Sequence, residues 1–212
     1  MIVLKIDGKE IGAKEGSTIL DAAKKVGISI PTLCFHEVLS ASGACRLCSV
    51  EVIRRGRSRV VVSCLYPVEE GLEVRTHSEK VLRLRRGILE LLLARCPHSE
   101  RVQELARQMG IAKPRFQPDN EECILCGLCV RVCTEIAEAK AISFVNRGVK
   151  KEVATPFFDL SAGCIGCGGC AYVCPTRAIK IENNQIKLGS KVFKELSTEA
   201  SQKVMETLRS QS

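Results

Sequence analysis

Two stretches of the chain, CILCGLCVRVC at residues 123–133 and CIGCGGCAYVC at residues 164–174, share the cysteine spacing C-x2-C-x2-C-x3-C. Each cysteine of the first stretch recurs 41 positions later in the second. A repeat at a fixed offset is typical of a duplicated supersecondary unit. The repeat therefore predicts that residues 119–188 form one domain with two related cysteine sites.

The total number of cysteines also indicates metal binding. The chain has 13 cysteines among 212 residues, and this odd count would leave one thiol unpaired in a disulfide framework. Its opening stretch, MIVLKIDGKE, is unlike a secretory signal. The longest apolar stretch, at residues 87–94, is short and is interrupted by Glu90. We expect a cytoplasmic protein without a membrane span, in which thiolates bind metal.

The spacing of the repeat is the pattern by which bacterial ferredoxins bind two [4Fe–4S] clusters. Three cysteines spaced by two wrap one face of a cluster, and glycines such as Gly127 and Gly168 let backbone amides approach its sulfurs. The fourth cysteine lies beyond reach of its own loop and serves the other cluster. Structural zinc is the alternative, but zinc ribbons use two separated pairs. The predicted ligand sets are Cys123, Cys126, Cys129 and Cys174 for one cluster, and Cys133, Cys164, Cys167 and Cys170 for the other.

Four further cysteines, spaced C-x10-C-x2-C-x15-C, precede the repeat. A loop that supplies three thiolates, with one more from a following strand, suits a [2Fe–2S] cluster, although the spacing differs from the plant type. Gly43 and Ala44 would let this loop fold closely around a cluster. Zinc is again the alternative, and the surrounding fold favours the cluster. The predicted ligands are Cys34, Cys45, Cys48 and Cys64.

The first 77 residues predict a β-grasp domain. A β-rich run at residues 2–6 is followed by the turn Asp7-Gly8 and a second strand. Ser17 or Thr18 can cap a short helix. Further strands are expected around residues 49–53, 60–63 and 72–76. The apolar positions predicted for the short helix are Ile19, Leu20, Ala23 and Val26.

Residues 78–118 predict a helical connecting segment. Apolar residues recur at helical spacing, and Ser99 can cap a second helix after Pro97. Residues 189–212 predict a polar C-terminal helix or tail without a readable site. The predicted fold class is therefore α+β, with a β-grasp [2Fe–2S] domain, a helical linker and a two-cluster ferredoxin domain. The linker helix is expected to bury Val81, Leu84, Ile88, Leu91 and Leu92, and to expose Arg83, Arg86 and Glu90.

The chain has a formal net charge of +8. The stretch from Arg75 to Arg115 contains ten Lys and Arg residues and four Asp and Glu residues, which gives it a formal charge of +6. We expect Arg83, Arg85 and Arg86 to dock against an acidic partner surface. A nucleic-acid binder is an alternative suggested by SERVQELARQMG at residues 99–110. Few aromatic residues are present for base stacking, so no nucleic-acid partner is expected.

Together these features resemble the iron–sulfur electron-entry subunits of NADH-linked complexes. Such subunits include the N-terminal part of the large iron–sulfur subunit of respiratory complex I, the diaphorase small subunit of NAD-reducing hydrogenases, and the equivalent part of electron-bifurcating hydrogenases and formate dehydrogenases. The resemblance covers about residues 1–188. It is carried by PTLC (31–34), GACRLC (43–48), SC (63–64) and the repeat.

One departure from this family lies in the linker. Family members commonly have another [4Fe–4S] cluster there, bound by one histidine and three cysteines, whereas residues 78–118 contain only Cys96 and His98 as comparable ligands. We expect that cluster to be absent, Cys96 to be a buried thiol and His98 to be a helix-entry or surface residue. The cofactors would then be one [2Fe–2S] cluster and two [4Fe–4S] clusters.

The resemblance implies an electron-transfer subunit of a hetero-oligomeric oxidoreductase, with no catalytic residue of its own. It would relay electrons between a flavin- and NAD(P)-binding iron–sulfur subunit and a catalytic subunit, such as a hydrogenase or formate dehydrogenase. The chain has neither a G-x-G-x-x-G turn nor a P-loop, so we expect no nucleotide site. The alternative is a free-standing ferredoxin-like carrier that diffuses between enzymes.

Overall fold

The computed structural model describes residues 1–119, 121–158 and 162–210. In the N-terminal part, five strands form a mixed sheet in the order β2-β1-β5-β3-β4. Strand β1 runs parallel to β5, whereas the other neighbouring strands are antiparallel. Helix α1 packs its apolar face on this sheet, which is the predicted β-grasp arrangement. The elements are β1 (Ile2–Ile6), β2 (Lys9–Ala13), α1 (Ile19–Lys25), β3 (Ser49–Arg54), β4 (Arg57–Val62) and β5 (Glu73–Arg75).

Local sequence explains the first hairpin and helix α1. Asp7 and Gly8 both have positive φ, which a tight hairpin turn of this kind requires. Of the two predicted caps, Thr18 is the one used. Its hydroxyl accepts from the Asp21 amide at 3.2 Å, and the Asp21 carboxylate accepts from the Thr18 amide at 2.9 Å, which completes a capping box. Ile19, Leu20 and Ala23 are buried, whereas Val26, the fourth predicted apolar position, is the C-cap residue just after the helix and is exposed.

Two helices follow, α2 (Glu79–Arg95) and α3 (Glu100–Gln108). Ser78 and Ser99 cap them, each accepting from a backbone amide three residues on. Helix α3 packs on α2, and both contact the cysteine loop of the N-terminal domain, because Leu33 and Leu47 lie in the same buried apolar cluster as their inward side chains. No helix in the described residues is both long enough and apolar enough to cross a membrane.

The predicted buried face of α2 is partly wrong. Leu84 is 40% exposed and Leu91 is 56% exposed, whereas Glu90 is buried. The core-facing side chains instead follow the spacing i, i+4, i+8 and i+12: Val81, Arg85, Leu89 and Leu93. The polarity pattern fails here because the charged groups of Arg85 and Glu90 form hydrogen bonds inside the protein. Arg85 donates to backbone carbonyls, and Glu90 accepts from Arg115.

The C-terminal part contains a three-stranded sheet in the order β10-β9-β8 and a two-stranded ribbon, β6-β7. Past residue 188, β10 pairs antiparallel with β9, and α6 packs Val204 and Leu208 into the apolar cluster around Leu128 and Val173. The described part of the segment predicted as a helix or tail, residues 189–210, therefore packs on this domain through β10 and α6, and residues 211–212 lie outside the described residues. The elements are α4 (Leu128–Glu135), β6 (Ser143–Val145), β7 (Glu152–Ala154), α5 (Gly169–Tyr172), β8 (Ile179–Glu182), β9 (Gln185–Leu188), β10 (Lys191–Glu195) and α6 (Thr198–Arg209).

Candidate iron–sulfur cluster sites

A strand pair brings together two of the four N-terminal cysteines. Cys48 immediately precedes β3, and Cys64 follows the end of β4 by two residues. Because Ser49 pairs with Val62 in the antiparallel ladder, the two cysteines meet at one end of the hairpin. Their sulfurs are 3.4 Å apart.

The other two N-terminal cysteines lie on the irregular loop that follows Pro31. The Cys45 amide donates to the Cys34 sulfur at 3.3 Å, so the loop folds back on itself at this point. Gly43 has a φ of 62°, and a Cβ atom there would come within 2.7 Å of a Leu65 methyl group. A larger residue at this position would displace the Leu65 side chain, next to Cys64, and would strain the backbone at its positive φ.

The pKa values of the four N-terminal thiols depend on one another. The hydrogen bond from the Cys45 thiol lowers the pKa of Cys34 to about 5, and the hydrogen bond from Cys64 lowers the pKa of Cys48 to about 7. The same bonds raise the pKa of Cys45 and Cys64, and the negative charge on Cys34 raises both further. Thiolates are the form that binds metal, and metal binding displaces the remaining protons. Four neighbouring soft sulfur donors, three of them buried and Cys45 half-buried, fit a [2Fe–2S] cluster.

The first set of cysteines predicted for a [4Fe–4S] cluster shares one enclosed cavity. Its lining includes Cys123, Cys126, Cys129 and Cys174, together with apolar side chains such as Ile124, Val153 and Ile179. Three of these cysteines come from the first repeat, and Cys174 comes from the second. The crossed ligand set stays a prediction, and its four cysteines line the same cavity.

The cysteines of the second predicted set lie close enough to affect one another's pKa. Burial raises the pKa of Cys164 and Cys167, and the nearby Cys133 charge raises it further. Burial also raises the pKa of Cys170, to which Cys167, Cys164 and Cys133 all contribute. Cys133 lies one helical turn after Cys129 on α4. One short helix therefore supplies a cysteine to each of the two sets.

Backbone amides point at several of these sulfurs. Cys123 accepts from the Leu125 amide at 3.3 Å, and Cys133 accepts from the Ala141 amide at 3.2 Å. The left-handed conformation at Gly127 and Gly168 turns the chain tightly between neighbouring cysteines. Amide-to-sulfur hydrogen bonds stabilise thiolate ligands and help set cluster potentials, so this donor set fits iron–sulfur clusters.

In residues 1–119, 121–158 and 162–210, no three His, Cys, Asp or Glu side chains converge closely enough to hold one metal ion.

The two linker residues resembling ligands lie in different environments. Cys96 is 1% exposed, and burial raises the pKa of its thiol to about 12, so the prediction of a buried thiol is confirmed. His98 is exposed at the entrance to α3, which confirms its prediction as a helix-entry or surface residue.

The predicted basic docking surface needs correction. Arg85 is buried and donates to the carbonyls of Leu47 and Ser49, so it cannot meet a partner. Arg83 and Arg86 are exposed, and Arg86 also donates to Gly110.

Sequence reasoning missed the arginines that hold the cysteine loops in place. Arg95 donates to the Cys123 carbonyl at 2.7 Å, and Arg131 donates to the carbonyls of Cys34 and Cys126. A usable signal was present for Arg131, since it is the one charged residue in the otherwise apolar run CVRVC at residues 129–133.

Two family models match the chain. Residues 1–79 match a 2Fe-2S iron-sulfur cluster binding domain, and residues 122–178 match a 4Fe-4S dicluster domain. The two matches correspond to the predicted cofactors, one [2Fe–2S] cluster and two [4Fe–4S] clusters. The cysteine sets described above lie within them.

Several curated proteins are similar over most of this chain. It is 38% identical to the alpha subunit of NADPH-Fe(3+) oxidoreductase from Geobacter sulfurreducens, over 83% of this chain and 24% of that protein. It is 37% identical to NADP-reducing hydrogenase subunit HndD from Solidesulfovibrio fructosivorans, over 84% of this chain and 36% of that protein. The chain thus spans between a quarter and about a third of the length of these relatives.

A solved structure is similar over a larger share of its own length. One chain of a crystal structure of NAD+-reducing [NiFe]-hydrogenase in the H2-reduced state matches with a TM-score of 0.64 and 32% identity. The match covers 73% of this chain and 74% of that chain.

Proposed function

Because this chain belongs to the family of iron–sulfur subunits found in NAD(P)-linked hydrogenases and complex I-like oxidoreductases, we propose that it relays electrons inside such a complex. The proposed route runs between a flavin- and NAD(P)-binding iron–sulfur subunit and a catalytic subunit, such as a hydrogenase or a formate dehydrogenase. The proposed location is the cytoplasm.

We propose that twelve of the 13 cysteines bind iron, and that Cys96 does not. The observation that carries this assignment is the enclosed cavity that Cys174 shares with three cysteines of the other repeat. In the proposed assignment, the N-terminal set holds the [2Fe–2S] cluster, and the two crossed sets each hold a [4Fe–4S] cluster. When bound, such clusters take up and release electrons at potentials that depend on hydrogen bonds, burial and nearby charge.

The described residues support a linear order of the three sites. One guanidinium nitrogen of Arg131 donates to the carbonyls of Cys34, in the N-terminal set, and of Cys126, in the first crossed set. Cys129 and Cys133 then join the first crossed set to the second through one turn of α4. Both observations support a place for the set containing Cys123 between the other two. By the family resemblance, the [2Fe–2S] end would face the flavin subunit.

The protein supplies the surroundings of these thiolates and no chemistry on a substrate. Cys129 is buried in one apolar cluster with Ile142 and Ile179. Amides donate to sulfur at Cys34, Cys123 and Cys133. Burial and amide donors are the means by which a protein sets the potential of a resident cluster.

Co-purification tests whether the chain works as a subunit. We expect the tagged full chain, isolated anaerobically from its native cells, to bring with it a flavin-containing protein. NAD(P)H added to that preparation should reduce its iron–sulfur centres, as followed by visible absorbance and electron paramagnetic resonance. Isolation as a stable monomer with every cluster intact would instead support the free-standing carrier.

Double substitution tests the crossed ligand sets. Replacing Cys133 with serine should remove about four iron atoms per chain, because one cubane loses a ligand. Adding Cys164→Ser should remove no more iron, since both residues would serve the same cluster. Adding Cys123→Ser should instead remove a further set of about four iron atoms. The reverse pattern of iron loss in the two double variants would show that each repeat binds its own cluster.

A further inference from the structure

Arg131 lies between two cysteine sets that belong to different domains. It is half-buried on α4, two residues from both Cys129 and Cys133. A single nitrogen of its guanidinium, Nη2, donates to the Cys34 carbonyl at 2.9 Å and to the Cys126 carbonyl at 3.3 Å. One NH2 group thus connects a cysteine of the N-terminal set to a cysteine of the first crossed set.

The other nitrogens of Arg131 hold the same two loops. Nε donates to the Gly127 carbonyl at 3.3 Å, within the first repeat. Nη1 donates to the Ser40 carbonyl, in the loop that follows Cys34. The planar guanidinium can serve several acceptors at fixed angles, whereas a lysine ammonium is a compact charge on a flexible stem.

One turn further along α4, Glu135 contacts the same N-terminal loop. Its carboxylate accepts from the Ser40 amide at 2.8 Å and from the Ser40 hydroxyl. Arg131 and Glu135 are four residues apart and therefore share a face of the helix. Two side chains of opposite charge thus fasten residues 34–40 to α4.

We propose that Arg131 is the positioning residue that couples the [2Fe–2S] site to the neighbouring [4Fe–4S] site. Its guanidinium fixes the two ligand loops against each other. Its positive charge favours the reduced, more negative state at both sites and so raises both potentials. This role rests on the proposed function for the identity of the sites, and it concerns a residue that binds no iron.

Redox titration of the anaerobic full chain, followed by electron paramagnetic resonance, tests the charge effect. Arg131→Gln should lower the [2Fe–2S] potential, with about a tenfold smaller ratio of reduced to oxidised sites at a fixed applied potential. The same variant should lower the potential of the [4Fe–4S] site that contains Cys126 more than that of the site that contains Cys133. Arg131→Lys, which keeps the charge, should restore most of the shift. Arg147→Gln is the matched control, because Arg147 is an exposed arginine elsewhere in the same domain.

Glu135→Gln distinguishes charge from simple loosening of the contact. Removal of a negative charge should move the [2Fe–2S] potential upward, opposite to the Arg131→Gln shift. If both variants shift the potential in the same direction, or if neither shifts it, the coupling role of Arg131 is wrong. That result would not contradict the proposed electron relay, because iron content and reduction by NAD(P)H are measured separately.

Hydrogen exchange supplies a readout that needs no electron transfer. The Ser40 amide should exchange faster in both Arg131→Lys and Glu135→Ala than in the parent chain. Lysine lacks the planar fork that reaches the Cys34 and Ser40 carbonyls together, and alanine offers no acceptor to the Ser40 amide. Unchanged exchange in both variants would show that these side chains do not fix the loop, and would overturn the positioning role.

Discussion

Replacing Arg85 with methionine is expected to lower the free energy of unfolding of the N-terminal domain by about 3 kcal/mol. Arg85 is 2% exposed, and it donates to the Leu47 carbonyl at 3.0 Å and to the Ser49 carbonyl at 2.8 Å. These two residues flank Cys48, so Arg85 connects helix α2 to the cysteine loop. Methionine would fill part of the volume but leave both buried carbonyls without these donors.

Substitution of Arg85 by lysine, which keeps the positive charge, should also lower the stability of the domain. Burial lowers the pKa of its guanidinium to about 10, which still leaves it charged at neutral pH. Arg85→Lys would keep the charge but lose the fork that reaches two carbonyls. We expect it to recover part of the stability lost in Arg85→Met. We also expect both variants to release [2Fe–2S] iron faster.

Urea unfolding of the anaerobic protein, followed by circular dichroism, measures this effect. Arg83→Met is the matched control, because Arg83 is exposed on the same helix two residues away. Its effect should stay within about 0.5 kcal/mol. Equal stability of the Arg85→Met and Arg83→Met variants would show that the buried hydrogen bonds contribute nothing net.

The second large effect is expected at Gly166, in the loop between Cys164 and Cys167. Its φ is 71°, and a Cβ atom there would lie 2.3 Å from the Glu195 carbonyl oxygen and 3.0 Å from the Ser197 nitrogen. Both contacts are to backbone, which cannot rotate away. Gly166→Ala should therefore separate this cysteine loop from the segment that joins β10 to α6. We expect loss of the [4Fe–4S] cluster assigned to the second crossed set, and protease cleavage before α6.

Gly189→Ala separates the steric effect from backbone strain. Gly189 also has a positive φ, 57°, but nothing lies within 4 Å of the Cβ position. That variant should incur only the conformational cost of about 1 kcal/mol and keep its iron. Measurements of iron content and of iron release to a chelator compare the two. If Gly166→Ala releases iron no faster than Gly189→Ala, the close approach of the C-terminal segment does not hold the loop.

The sequence alone predicts features that depend on short-range spacing. The hairpin at Asp7 and Gly8 depends on two adjacent residues that tolerate positive φ. The ferredoxin repeat depends on intervals of two and three residues, which fix how a loop can wrap around a cluster. These local rules predict the β-grasp and ferredoxin domains without knowledge of how the parts pack.

Features that depend on distant partners are not predictable in this way. The inward face of α2 was misread because Arg85 meets carbonyls 38 and 36 residues away, and because Glu90 meets Arg115. Arg131 reaches the Cys34 carbonyl, 97 residues earlier in the chain. Polarity patterns assign such charges to the solvent, since nothing in the local sequence reveals a buried acceptor.

Helix α4 has a consequence for the speed of the proposed relay. Electron tunnelling weakens exponentially with separation, so small fluctuations between centres change its rate strongly. A helix rises about 1.5 Å per residue and is stiff over a few turns. Cys129 and Cys133 belong to this one element, and Arg131 and Glu135 fasten the loop at residues 34–40 to it. Thermal motion should therefore displace the three proposed sites together and leave the tunnelling distances nearly constant.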